Sequence, residues 1–307
     1  MADAKQLQTA IHAIAKIIAE LKTGSGAADA DAVPGCRVKR LPNRLRMKAA
    51  DLAVQINPRN DAARRRGEAV RGGREIAVAQ EWYWGPTPRT LSVSFLSSIT
   101  AARRDRILEH LNAWSQTGCV DFQWTQQTGD VRIAFINSGE QAGYWSYLGT
   151  QIRLIPTNRP TMNLEGFDGT KSEATYRRVV RHEAGHTLGF EHEHMRPELV
   201  QRIDRQKAYD YFWETEGWSP TDVDQQVLTP LVDADLIAST PDQDSIMCYM
   251  LPGTITTDGE PIRGGADINP RDYAFAAQIY PKSGGGLESG PDVPDADNWP
   301  ESEDVVR

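Results

Sequence analysis

The sequence predicts an α+β fold, in which helices pack against a sheet. Three observations carry this. Short apolar runs with an alternating or continuous pattern recur between residues 91 and 155. A stretch with a core-facing helical stripe sits between the first two of them. A histidine-rich helical stretch follows the last.

Size and composition fit that class. The chain has 307 residues, 39% hydrophobic and 25% charged, enough for one large domain or two modest ones. No apolar stretch is long enough to span a bilayer. The first twenty-two residues lack a secretory pattern, because Asp3, Lys5, His12 and Lys16 interrupt them. Three cysteines argue against a disulfide framework. The expected setting is export without a conventional signal, or the cytoplasm. The net charge of −8 is unevenly spread: residues 36–75 carry +8 and residues 281–307 carry −5. The basic run has no nucleic-acid-binding motif beside it. It is predicted to be a solvated or acid-paired surface, with no nucleic-acid partner.

Leu7, Ile11, Ile14, Ile18 and Leu21 give residues 1–22 an amphipathic helical pattern. It could dock on the main domain, pair with another chain or lie on a membrane. Docking is the default, since its polar face is not strongly basic. Residues 23–80 are predicted as a linker and basic extension, a pro-segment or shield in outline, with helices broken near Pro58 and at Gly72-Gly73. Cys36 could cap a metal ion, but the favoured reading is an inert, partly buried thiol. Trp82, Tyr83 and Trp84 open a denser region. Leu91, Val93 and Phe95 alternate as in a strand. Thr100 is a helix cap, and Ile107, Leu108, Leu111 and Trp114 form the stripe that Gly118 stops. Val120, Phe122 and Trp124, then Val131, Ile133 and Phe135, read as two more strands. Ile152–Ile155 reads as a third, ended by Pro156. A helix is predicted over about Ser172–Leu188, with Arg177, Arg178 and Arg181 solvated. Asp204–Trp213 is a short helix, and residues 214–244 are irregular. Asn269-Pro270 starts a last helix. Beyond Lys282 an acidic tail is expected to be disordered.

The chemistry lies in Arg181–Glu198. His182 and His186, one helical turn apart, can share a metal ion. Gly189 can end the helix in a left-handed conformation and let the chain return with His192 as third ligand. Three nitrogens and one open position make a catalytic zinc (Zn2+) site. Glu183, beside the first ligand, is the candidate general base. His194 could support the ligands from behind or be an alternative third ligand, but the Gly-x-x-His spacing favours His192, and His194 is predicted exposed. Some fifty residues on, Met247 could floor the metal, and Tyr249 could bring a hydroxyl to a developing oxyanion.

These residues resemble the astacin-type zinc peptidases of the metzincin clan. The motif runs on through Gly189-Phe190-Glu191-His192-Glu193 to Arg196-Pro197. Ser245–Tyr249 reads SIMCY where the family has SIMHY. Gly143–Gly149 is similar to its GCWSYVG, and Thr117–Phe122 to its TCIxF. Asn269-Pro270-Arg271-Asp272 also fits. The similarity spans residues 82–281 or so, and the catalytic domain is predicted over 81–281. The resemblance implies a metzincin-type fold: a twisted, mostly parallel sheet with two long helices, then a largely irregular C-terminal subdomain, with the zinc cleft between. It implies zinc on His182, His186 and His192, Glu183 as base, Tyr249 as a switchable tyrosine, Met247 as floor, and Glu193 supporting the site through the mature N-terminus or a water network. It implies a protein or peptide substrate held extended on a sheet edge. A zinc-binding module without turnover is the alternative. The chain departs from the family in lacking both disulfides: Tyr144 replaces one half-cystine, no cysteine follows Tyr280, and Cys119 loses its partner. The family's inhibitory aspartate has no matching motif, with Asp51 and Asp61 as weak candidates.

Overall fold

The computed structural model describes residues 35–61, 78–79, 82–231, 236–237 and 241–282. The helix expected over 1–22 and the tail beyond Lys282 lie outside the described residues. Six strands form the main sheet: β1 (Cys36–Lys39), β2 (Arg89–Phe95), β3 (Val120–Trp124), β4 (Val131–Ala134), β5 (Tyr144–Tyr147) and β6 (Met162–Leu164), in the order β1-β5-β6-β4-β2-β3. β2 runs parallel to β3 and β4, and β4 parallel to β6. β5 reverses, antiparallel to β6, and β1 beside it shares its direction. β1 lies on the outer edge of β5 and runs parallel to it, pairing Cys36 with Tyr144 and Lys39 with Tyr147.

The helices follow the apolar spacing. α1 (Arg46–Ile56) buries Ala49 and Ala53 and stops at Asn57, before Pro58. α2 (Ala101–Leu111) starts where the Thr100 side chain accepts from the Arg103 amide, and buries Ile107 and Leu111. The third helix opens at Glu173, capped by Ser172, loosens into a π turn over Tyr176–Val180 and continues as α3 (Arg181–Leu188). Two buried indoles fix α3. Trp114 Nε1 donates to the Arg181 carbonyl and Trp84 Nε1 to that of Thr187, each at 2.8 Å. On the sheet side, the Ser146 and Thr187 hydroxyls meet at 3.1 Å. α4 (Arg205–Glu216) and α5 (Pro270–Ile279) are the longer helices of the C-terminal part, α5 opening with a capping box between Asn269 and Asp272. Long stretches without regular structure separate these last helices, as expected for the C-terminal part.

Beyond the edge strand β1, which falls in the expected extension, two stretches differ from expectation. Ile152–Ile155 is not a strand: Gly149–Leu154 is a 3-10 helix. Its apolar spacing is three, not two, so Ile152 and Ile155 both point inward, while the Thr150 amide is taken by the Trp82 carbonyl at 2.8 Å. Within residues 214–244, Pro220–Val223 is helical and passes into a π turn over Asp224–Leu228. Its start is a capping box between Ser219 and Asp222, and Val223, Val227 and Leu228 are buried. No described helix is long and apolar enough to cross a membrane.

Candidate metal centre

α3 delivers His182 and His186 to one buried face, as their four-residue spacing requires. Gly189 follows at φ 99°, and the Phe190 amide closes back on the Gly185 carbonyl at 2.9 Å. The chain therefore doubles back and brings His192 over the helix. The Nε2 atom of His192 lies 3.0 Å from that of His186 and 3.3 Å from that of His182. Two of the other ring nitrogens are engaged, while His192 Nδ1 has no hydrogen-bond partner. His182 Nδ1 faces the Ile246 carbonyl at 2.6 Å, and His186 Nδ1 the Phe190 carbonyl at 2.7 Å. A carbonyl accepts, so the Nδ1 atoms of His182 and His186 carry the hydrogen and their Nε2 atoms turn lone pairs inward. Burial first, then neighbouring positive charge, holds His182 and His192 well below the ordinary histidine range. Burial takes His186 to about 4. Neutral imidazoles with convergent lone pairs are what a cation needs.

A fourth donor completes the group. Cys36 Sγ and the three imidazoles have ligand atoms all within 4.8 Å of one another, and all four residues are buried. Cys36 is buried, as the sequence reading allowed, and lies among the histidines rather than apart from them. Its position follows from β1 being an extra strand on β5, an arrangement that alternation in so charged a stretch did not reveal. Three imidazoles and a thiol fit zinc by donor chemistry. Asp51, one of the candidate inhibitory acids, is exposed on α1.

Around the histidines stand the other predicted residues. Glu183 is fully buried, and neither carboxylate oxygen has a hydrogen-bond partner at ordinary geometry. Burial raises it to about 8, against smaller opposing pulls from the Cys36 thiol and the Arg178 guanidinium. Tyr249 is buried with its ring 4.4 Å from that of His192, and its hydroxyl has no partner. Met247 is buried beneath α3, where a Cβ on Gly185 would overlap its Sδ. The Glu193 amide donates to the Met247 carbonyl at 2.9 Å, and its Oε1 accepts from the Asp242 amide at 3.1 Å. His194 is not exposed: it is fully buried, stacked on Tyr249 at 4.1 Å and bonded through Nε2 to the Gln226 carbonyl at 3.0 Å. The helix over Pro220–Leu228, absent from the sequence reading, supplies that carbonyl.

Arg178 is a further departure. It turns its guanidinium inward, with Nη1 on the Ile246 carbonyl at 2.6 Å and Nη2 on the Cys248 carbonyl at 3.0 Å. It precedes His182 by four residues, so helical spacing alone could have put it on the metal-facing side. From the other side, Asp272 Oδ2 accepts from the Ile246 and Asn269 amides, at 3.0 Å each. Burial raises Asp272 to about 7. The turn at Ser245–Tyr249 is thus held between a guanidinium and a carboxyl that sequence reasoning did not assign to it.

The described fold and site have counterparts among known proteins. The family model described as Astacin, a peptidase family, matches residues 77–209. A solved structure of myroilysin is 31% identical, with a TM-score of 0.61, over 67% of this chain and 98% of that chain. The chain belongs to the astacin family. Astacins are zinc metalloendopeptidases, and the four-residue group is where this astacin could hold that metal. A crystal structure of myroilysin, 27% identical with a TM-score of 0.50, extends the similarity to 80% of this chain and 100% of that one. The zinc metalloproteinase nas-27 of Caenorhabditis elegans is 31% identical over 110 residues, 36% of this astacin. That match spans 23% of the length of nas-27.

Proposed function

We propose that this astacin is a zinc endopeptidase held latent by its own N-terminal segment. The observation that carries the reading is the fully buried Glu183 carboxylate next to His182, the first of three imidazoles whose nitrogens converge. His182, His186 and His192 would hold the metal, and Met247 would floor the site. Zinc held there would supply Lewis acidity, polarising a peptide carbonyl and easing the ionisation of water toward neutral pH. Glu183 takes the proton of the attacking water and returns it to the leaving amine. The Tyr249 hydroxyl, free of other partners, donates to the oxygen that becomes negative in the transition state. Glu193 keeps the Asp242 loop and the Met247 turn in register with the ligands. An extended peptide or protein segment would bind along β5, whose outer backbone edge is the natural place for an added strand.

β1 takes up that edge in the structure, and Cys36 takes up the fourth donor position. A thiol there leaves neither the water nor a peptide carbonyl a place, so the segment over 35–41 must withdraw before turnover. The test is metal analysis with peptide-library cleavage, with and without a chelator, on the full chain and its Cys36→Ser variant. The expected result is stoichiometric zinc in both, chelator-sensitive cleavage, and at least a roughly tenfold faster rate in Cys36→Ser. That figure corresponds to loss of ~1.4 kcal/mol of blocking interaction. Zinc-loaded Cys36→Ser chain that cleaves nothing would remove the peptidase reading. Equal rates in the two chains would remove latency.

A further inference from the structure

The segment across the cleft has a chemistry of its own. Cys36 to Leu41 reads CRVKRL, and each of its three cations has a dedicated partner on the catalytic part. The Arg37 guanidinium sits 5.0 Å above the Trp218 ring, and Lys39 Nζ sits 4.9 Å above that of Trp145. Arg40 Nη2 reaches both oxygens of Glu191, at 2.9 and 3.0 Å. The backbone is read as well: the Gln226 side chain accepts from the Val38 amide at 3.0 Å and donates to its carbonyl at 3.3 Å.

Glu191 is the decisive member. Its side chain is 3% exposed, against 45% for Arg40. It immediately precedes His192 in the chain, and its partner Arg40 lies four residues beyond Cys36. A carboxylate this deep is costly to leave without a counter-charge, and its counter-ion is carried by a segment that must leave. Two indole faces that hold cations are uncovered at the same moment. We infer that the open cleft selects protein segments rich in lysine and arginine, with Glu191 reading a basic side chain close to the cleaved bond and Trp145 and Trp218 taking its neighbours. This rests on the peptidase reading above. The charge distribution favours the same class. The whole chain carries −8 and residues 36–75 carry +8, so the remainder carries −16 and attracts cationic partners. The arrangement makes the N-terminal segment a resident stand-in for the substrate, matched in side-chain chemistry. It runs parallel to β5 and sets a thiol, in place of a peptide carbonyl, at the metal centre.

The test uses full-length, zinc-loaded Cys36→Ser chain and two peptides that differ by one arginine against glutamine. It has two arms. In the first, the kcat/KM ratio of arginine to glutamine peptide is measured. The expected ratio is about tenfold or more, falling toward unity in Glu191→Gln and inverting for an aspartate-bearing peptide in Glu191→Lys. In the second, binding of labelled forms of the same peptides is titrated in the Glu183→Gln background, where turnover is not needed. The arginine peptide is expected to bind about tenfold tighter, and the difference to vanish with Glu191→Gln. Equal affinities for the two peptides, absence of binding by both, or selectivity that survives Glu191→Gln would overturn the inference. Selective binding without any cleavage would sustain it and sink the peptidase reading instead.

Discussion

Glu183 and Tyr249 are buried at the metal centre, and neither the carboxylate nor the phenol hydroxyl has a partner at ordinary hydrogen-bond geometry. Groups left so are ordinarily avoided, because desolvation is uncompensated. On the proposed mechanism both would face the water and the substrate oxygen, which would account for the tolerance. Glu183→Gln keeps the shape and the ligands but cannot accept a proton. Its expected effect is retained zinc, by metal analysis, with turnover lowered by roughly a hundred- to ten-thousand-fold. Retained chelator-sensitive turnover would remove Glu183 from the role. Tyr249→Phe keeps the ring on His194 and removes only the hydroxyl. Its expected effect is a fall of about a hundredfold in kcat with little change in KM, since the bond is made in the transition state. The histidines, Glu183 and Tyr249 were legible because their spacing is dictated by one helix and one turn. Glu191, Arg178 and the burial of His194 were not. Each depends on partners from distant stretches, namely Arg40, the carbonyls of Ile246 and Cys248, and Gln226.

At the scale of elements, α3 and the turn after it decide whether three imidazoles converge. Gly189 at φ 99° is the pivot, with its neighbours closing bonds back to the last turn of the helix. A side chain there meets the following carbonyl, a penalty of roughly 1–2 kcal/mol. Gly189→Ala is therefore expected to lower the melting temperature by several degrees and to weaken zinc binding. Calorimetry of zinc-loaded and chelated protein checks both; an unchanged melting temperature would mean that the turn relaxes freely. The other helices were readable from their caps and stripes, Thr100 before α2 and Asn269 before α5 among them. The Ser219–Asp222 box carries the same signal but stands in a polar, proline-bearing stretch that reads as irregular. β1 gave no usable signal. Arg37 and Lys39 alternate with Cys36 and Val38, yet charged residues read as solvated until Trp218 and Trp145 lie beneath them. The 3-10 turn over Gly149–Leu154 failed for the opposite reason, since four residues of Ile-Arg-Leu-Ile satisfy a strand and a tight turn alike.

The whole molecule gathers four buried histidines around one centre, and this shapes its response to acid. Burial holds His186 at about 4 and His194 at about 3, and keeps His182 and His192 well below their ordinary value. In the unfolded chain all four titrate near 6.5. Between those limits the unfolded chain takes up protons that the folded, metal-free chain refuses. The stability they contribute is whole above pH 6.5 and is lost as pH falls toward 4. Two carboxyls oppose this. Glu183 at about 8 and Asp272 at about 7 are protonated in the fold where the unfolded chain is ionised, which favours the fold as pH falls through the same window. Four sites against two leave the histidines in control. Chelator-treated protein is therefore expected to melt at a lower temperature at pH 5 than at pH 7. Replacing His194 by Gln removes one of the four and should flatten that difference, because no proton is then refused at that position. A melting temperature that is flat or rising toward pH 5 in the unmodified apo-protein would mean that the histidines titrate in the fold much as they do in the unfolded chain, and that water already reaches the centre with the N-terminal segment in place.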